Sequence, residues 1–226
     1  MFEVNSYNIN CPKLKAPLRI ALAADLHDKP FEHIIEAIKA AEVDIIAIPG
    51  DLVNRYTSTF SIGVQFLSAC AKIAPTFYST GNHEMRIGGI PEEDIAASGA
   101  VFVDDRFVYY RDIVIGGFPT MGDIQKLDTF ASQSGFKILL SHHPEYYKIY
   151  HRMRDIDLIL SGHAHGGQVR IFGQGLFSPG QGILPKYTSG VHEKRLVISR
   201  GLCNSQKVPR LWNNPELVIL NLIPAN

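Results

Sequence analysis

Seven side chains of the kinds that bind metal ions, Asp25, His27, Asp51, Asn82, His142, His163 and His165, each fall just past a short apolar run. They occur in order as Asp25-Leu26-His27, Gly50-Asp51, Gly81-Asn82-His83-Glu84, Ser141-His142 and Gly162-His163-Ala164-His165. Carboxylate, amide and imidazole donors suit manganese, iron, zinc or cobalt, and the absence of thiolate argues only against a soft copper site. Seven ligands are more than one tetrahedral ion uses, so the set points to two divalent metal ions sharing a carboxylate. The natural division gives Asp25, His27 and His165 to one ion and Asn82, His142 and His163 to the other, with Asp51 bridging. Two ions roughly 3.5–4 Å apart can hold and deprotonate a bridging water and stabilise the attacking and leaving oxygens of an in-line displacement at phosphorus. That geometry favours phosphoester hydrolysis.

Each residue also has an ordinary explanation. Asp25 alone would be read as a cap on backbone amides, and Asn82 after Gly81 as a turn residue. Glu84 reads as a support for its loop rather than a ligand. His142 adjoins His143, and spacing does not say which of the two faces the metals. His33, His151 and His192 lack partners at useful spacing and read as surface or packing residues. Five ordered groups outweigh the separate explanations.

The elements that must position these groups follow from the apolar pattern. Runs at 18–24 and 43–48 are nearly all apolar, as in strands covered on both faces, and Thr76-Phe77-Tyr78-Ser79-Thr80 reads as a third strand. Between them Phe31, Ile34, Ile35, Ile38 and Ala41, and then Phe60, Val64, Leu67 and Ala71, recur at helical spacing. The first third is therefore βαβαβ, with parallel pairing and right-handed crossovers. A short helix opens at Pro91, and strands are predicted over 101–103, 107–110 and 113–118, the last two joined by a turn at Arg111-Asp112. Helices are predicted over 123–134 and 144–155, strands over 136–140, 156–160, 195–199 and 216–222, and a loop over 166–191. Ligands in open α/β sheets bind at the carboxyl edge of the strands, where these motifs fall. Glycines 50, 81 and 162 allow sharp turns and close approach. The one-residue spacing in Asp25-x-His27 and His163-x-His165 lets each pair chelate. With no linker or repeat in view, residues 1–226 are expected to form a single domain.

The chain has 226 residues, 46% of them hydrophobic, enough for a substantial core. Twenty-two basic residues balance 22 acidic ones, so no global field draws it to nucleic acid. A nuclease therefore ranks below an enzyme for small-molecule or lipid-linked phosphoesters. No apolar stretch is long enough to span a bilayer, and the first residues lack a signal-peptide pattern, so a cytoplasmic location is expected, with peripheral membrane contact left open. Cys11, Cys70 and Cys203 show no paired spacing and suggest no disulfide or zinc chemistry.

The ordered pattern DxH, GD, GNHE, H and GHxH resembles the calcineurin-like metallophosphoesterases, with every element present between residues 25 and 165. The trailing Gly166-Gly167-Gln168, Ser199-Arg200-Gly201 and Pro215-Glu216 resemble a small bacterial branch, whose members include phosphodiesterases and pyrophosphohydrolases acting on lipid-linked substrates. The resemblance implies an α/β fold, a four-layer α/β/β/α sandwich of two mixed sheets flanked by helices. It supports the ligand division and favours His142 over His143. It implies that His83 stands outside the metal shell, contacts the phosphate and protonates the leaving oxygen. Asn82 would orient substrate as well as bind metal, and Asp51 would act through metal position alone. An imidazole suits the acid role because its ordinary pKa lies near neutrality.

Substrate contacts are less defined. Arg86 and Arg170 follow metal motifs and offer planar donors to a phosphate, although exposed arginines are more often solvated charges. Residues 171–179 read either as an apolar wall or lid, or as a packed loop. No large cap is inserted between the motifs, so an open site fits a diester or a bulky substrate. A non-catalytic scaffold of the same fold is the contrasting reading, weakened by the complete ligand set.

Overall fold

The computed structural model of the chain describes residues 2–204 and 209–225, and builds the apolar runs into two six-stranded sheets. The first half comprises β1 (Glu3–Asn10), β2 (Leu18–Leu22), α1 (Glu32–Ala40), β3 (Ile45–Ile48), α2 (Ser61–Ala71), β4 (Thr76–Tyr78), α3 (Asn82–Arg86), α4 (Glu92–Ser98) and β5 (Val101–Phe102). Then come β6 (Phe107–Tyr110), β7 (Ile113–Gly117), α5 (Ile124–Ala131), β8 (Phe136–Leu140) and β9 (Leu158–Ser161). Four two-residue strands follow, β10 (Arg170–Ile171), β11 (Gln174–Gly175), β12 (Phe177–Ser178) and β13 (Gly182–Ile183), before β14 (Gly190–His192), β15 (Leu196–Ile198) and β16 (Glu216–Ile223).

The first sheet runs β1-β16-β2-β3-β4-β5, parallel from β2 to β5, with β16 antiparallel to β2 and parallel to β1. The second runs β14-β15-β9-β8-β7-β6, parallel from β15 to β7 with an antiparallel strand at each edge. Side-chain alternation sorts the strands into three apolar layers. Ile20, Leu22, Ile45, Ala47 and Leu220 of the first sheet meet Ile115, Ile138, Leu140, Leu160 and Val197 of the second. Between them, Ala21, Ile46 and Ile219 turn outward onto Ile34 and Ile38 of α1 and Phe66 and Leu67 of α2. On the opposite side Val114, Leu139 and Ile159 pack against Leu127 and Phe130 of α5. The chain is thus a four-layer α/β/β/α sandwich of two mixed sheets flanked by helices. Burial on both faces is why the inner strands read as unbroken apolar runs.

Several local expectations change. β1 has no counterpart in the sequence reading, because Val4, Ser6, Asn8 and Asn10 point to solvent from an edge strand and leave only a weak apolar alternation. Its place depends on β16, more than 200 residues away. The helix predicted over 144–155 reduces to a single widened turn, Tyr147–His151, in which Arg152 N–H bonds Tyr147 O at 2.8 Å. The Arg195 guanidinium takes up the carbonyls of Arg152, Arg154 and Ile156, ending the segment without further helix. The helix predicted over 123–134 shortens to α5, capped by the Asp123 carboxylate on Gln125 N–H. Residues 166–191 are loop-like as predicted, except for two small hairpins and the start of β14.

Candidate metal centre

All five motifs lie beyond the carboxyl ends of parallel strands: Asp25 and His27 after β2, Asp51 after β3, Asn82 after β4, His142 after β8 and His163 and His165 after β9. The sheets face each other, so loops from both converge on one crevice. Backbone bonds join these loops: Asp25 N–H to Gly50 O and His27 N–H to Asp51 O, each at 3.1 Å, and Gly162 N–H to His142 O at 3.1 Å. Asp25, His27, Asp51, His163 and His165 all adopt left-handed backbone, with φ between 46° and 65°. Non-glycine residues seldom sit there, and such strain gathers where surrounding structure imposes it for function. Close approach also fixes the glycines. A Cβ on Gly81 would collide with the Asp51 carboxylate, and one on Gly162 would meet Ala24 Cβ at 2.7 Å.

The donor atoms form two adjoining groups. Asp25 Oδ1 lies 3.6 Å from His27 Nε2 and 3.5 Å from His165 Nε2, and those two nitrogens are 3.1 Å apart. Asp51, His142 and His163 form the second group, with Asp51 Oδ2 at 3.2 Å from His142 Nε2. Asp51 Oδ2 also comes within 4.0 Å of His27 Nε2 and so stands between the groups. Edges of this length surround a cation at ordinary ligand distances. Asn82 Oδ1 and His142 Nε2 are buried without a hydrogen-bonding partner, as atoms reserved for an ion would be. His142 Nδ1 reaches Pro49 O at 3.1 Å, which puts the ring proton there and leaves the Nε2 lone pair for a cation. The structure therefore turns His142 into the cluster, whereas His143 meets Thr120 Oγ1 at 2.9 Å and Glu145 Oε1 at 3.1 Å.

Charge follows burial. Burial alone would raise Asp25 and Asp51, but the surrounding imidazoles hold both carboxyls well below their usual range. Burial would likewise lower His142, yet the adjacent Asp51 lifts it to about 9, so without a cation the ring also keeps a proton on Nε2 toward Asp51, and a bound ion would have to displace that proton. Burial keeps His163 well below its ordinary value and pushes His165 down to about 3, so these rings are neutral donors.

His83 sits in the first turn of α3 with Nε2 3.8 Å from Asp51 Oδ2, and its Nδ1 accepts Arg55 N–H at 3.1 Å. The neutral ring then carries its proton on Nε2, facing the cluster. Burial pushes this imidazole down to about 4, so it is a neutral hydrogen-bond donor at pH 7. Arg86 closes α3 in an exposed position and makes no hydrogen bond or ion pair among the described residues. The Arg170 guanidinium is instead used within its own loop, on Gly166 O, Gly173 O and Thr188 Oγ1.

Glu84 is the support on which the second group depends. Its carboxylate accepts the backbone N–H of Gly81 and Asp51 on one oxygen and of Leu52 and Val53 on the other. Burial and the Asp51 charge raise this carboxyl to about 7, against the pull of the amide hydrogen bonds. Two further residues were not legible as site residues. Arg210 contacts His165 Nδ1 at 2.6 Å, and buried Asn213 donates to His165 O at 2.7 Å. They follow the last motif by more than 40 residues and carry no local signature. Beside His165 opens a mainly apolar cavity of about 490 Å3, lined by Ala164, Val169, Leu176, Phe177 and Pro179.

Comparison with known proteins agrees with this layout. The calcineurin-like phosphoesterase family model matches residues 18–167, roughly two thirds of the chain. An uncharacterized metallophosphoesterase of Campylobacter jejuni is 27% identical across 97% of this chain and 63% of its own length. The phosphodiesterase YaeI of Escherichia coli is 29% identical, with 92% of this chain and 83% of YaeI covered. A Helicobacter pylori metallophosphoesterase is 30% identical over 74% of this chain, which spans only half of that relative. Among solved structures, TT1561 of Thermus thermophilus aligns with a TM-score of 0.49 at 14% identity, covering 65% of this chain and 82% of that one. From the family match and the ordered donors at the strand ends, the chain belongs to the calcineurin-like phosphoesterase family.

Proposed function

We propose that this chain is a phosphoester hydrolase dependent on two divalent metal ions, acting as a phosphodiesterase or pyrophosphohydrolase on a small-molecule or lipid-linked substrate. One observation carries the reading: Asp51 Oδ2 stands between the Asp25–His27–His165 group and the His142–His163 group, in reach of both. Asp25, His27 and His165 would hold one ion, Asn82, His142 and His163 the other, and Asp51 would bridge them. Bound ions of this kind stabilise charge on the attacking and leaving oxygens at phosphorus. His83 presents its Nε2 proton to the phosphate and the leaving oxygen, held in that tautomer by Arg55 N–H. Asn82 orients the phosphate, and Arg86 is its candidate outer contact. The apolar cavity beside His165 suits an ester whose substituent is apolar. The similarity to a phosphodiesterase supports the diester side of the reading.

The test is hydrolysis of bis-p-nitrophenyl phosphate and p-nitrophenyl phosphate with manganese, with and without chelator. Asp51→Asn should lose affinity for both ions. His83→Ala should retain full metal content and slow turnover roughly 10²- to 10³-fold, the usual cost of removing one hydrogen-bond donor to charge that develops in the transition state. Full activity in His83→Ala would remove its proposed role. Metal-loaded protein inert toward both esters and toward broader substrates would return the scaffold reading, and salt-sensitive DNA cleavage would favour a nuclease.

A further inference from the structure

The segments that wall the apolar cavity also expose several large apolar side chains. Phe172 is fully exposed at the turn between β10 and β11, and Trp212 is 79% exposed. Ile183 and Leu184 are also exposed at 81% and 63%. Backbone bonds connect these turns into one surface: Arg170 N–H to Leu211 O, Leu176 N–H to Val169 O and Leu184 N–H to Leu176 O. Phe177 stands opposite Ile183 in the β12–β13 pair, so both project from one face, and Phe177 also lines the cavity next to His165. Residues 166–192 include Arg170 and Lys186 and no Asp or Glu, in a chain whose charges otherwise balance. Beside Leu184, Lys148, Arg152 and Lys186 line a groove of about 650 Å3. Glu145 lines it too and Arg152 is shared with Glu193 at 3.3 Å, so three cations stand against two carboxylates and the groove keeps a positive balance.

An occupant of this face must match exposed aromatic tips, adjoining cations and an apolar cavity leading to the metal centre. We propose that it is an anionic lipid bilayer. Phe172, Ile183, Leu184 and Trp212 enter the interface, Lys148 and Lys186 meet headgroup phosphates, and the cavity receives the apolar part of an ester drawn from the membrane. Aromatic side chains favour the headgroup boundary, and cations beside them add attraction to anionic lipid. The docking surface stands independently of catalysis. Only its delivery of substrate rests on the phosphoester-hydrolase reading.

Trp212 is the sole tryptophan and so reports its own environment. The full chain is mixed with phosphatidylcholine vesicles containing or lacking phosphatidylglycerol, and binding is measured by co-sedimentation and tryptophan emission. Wild-type protein should sediment with the anionic vesicles, with a blue-shifted emission, and Asp51→Asn should do the same because docking does not require the metal shell. A Phe172→Ser/Ile183→Ser variant should bind at least about tenfold more weakly, since two large apolar side chains no longer leave water. Lys148→Glu/Lys186→Glu should lose the advantage of anionic over neutral vesicles, most clearly at low salt. The proposal fails if wild-type protein neither sediments nor shifts its emission. It also fails if these substitutions leave vesicle binding unchanged, or if they instead dissolve a dimer seen without lipid. Vesicle binding by a protein inert toward phosphoesters would retain the docking surface and overturn only the hydrolase reading.

Discussion

Replacing Glu84 by Gln tests how the second ligand group is held in place. The two carboxylate oxygens each accept two buried backbone N–H groups, from Gly81 and Asp51 and from Leu52 and Val53, at 2.6–3.2 Å. Glutamine is nearly isosteric but presents one oxygen and one NH2. Whichever way the amide is turned, one pair of backbone donors faces another donor. Each buried donor left unpaired costs about 1–3 kcal/mol, so the substitution should cost roughly 2–6 kcal/mol. That is a large fraction of a typical folding free energy of about 5–15 kcal/mol. Asp51 should also move, because its own N–H is one of the four donors and its Oδ1 accepts His83 N–H at 2.9 Å. Urea unfolding in the presence of chelator isolates the folding cost, and metal content by mass spectrometry after reloading reads the displacement of Asp51. We expect a lower midpoint at unchanged slope and reduced metal stoichiometry. A Glu84→Gln protein with the wild-type midpoint and full metal content would refute the assignment of Glu84 as the anchor of this loop.

Two further outcomes are expected. Gly81→Ala places a methyl group against the Asp51 carboxylate and backbone, so metal affinity should fall and stability should drop by about 1–3 kcal/mol, readable by calorimetric metal titration and thermal melts. His151 is fully buried with Nε2 3.0 Å from Ser141 Oγ, and burial pushes its pKa down to about 3. Above about pH 6.5 the ring is neutral in both folded and unfolded chains and has no differential effect, whereas between about 6.5 and 3 only the unfolded chain takes up the proton, so stability drops as the pH is lowered through that window. His151→Gln should flatten this acid limb in urea titrations at stepped pH, and an unchanged limb would exclude His151 as its source.

Much of the candidate site was legible because the residues proposed as ligands are tied to strand ends. A strand buried on both faces announces itself as an unbroken apolar run, and the polar residue that ends it stands out, as Asp25 does after β2 and His142 after β8. Glycines next to ligands were legible for a similar reason: Gly81 stands where any side chain would enter the Asp51 carboxylate. Elements with little local signal were not. β1 is a polar edge strand stabilised by pairing with β16, and the segment around Tyr147 is ended by Arg195 from the distant turn between β14 and β15. Arg210 and Asn213 reach His165 only through the folded path of the chain.

The sequence by itself determined the chemistry available: which donors exist, in what order, and behind which apolar runs. Those are properties of residue type and short-range period, fixed before the chain folds. Tertiary structure decided which of two adjacent histidines faces the cluster, through the bond from His142 Nδ1 to Pro49 O, 93 residues away. It also set the His83 tautomer through Arg55 N–H, placed Asp51 between the two groups, and left Phe172, Ile183 and Trp212 exposed on segments linked by backbone hydrogen bonds. Each of these depends on distances between residues far apart in the chain, which are set by the packing of two sheets and their loops.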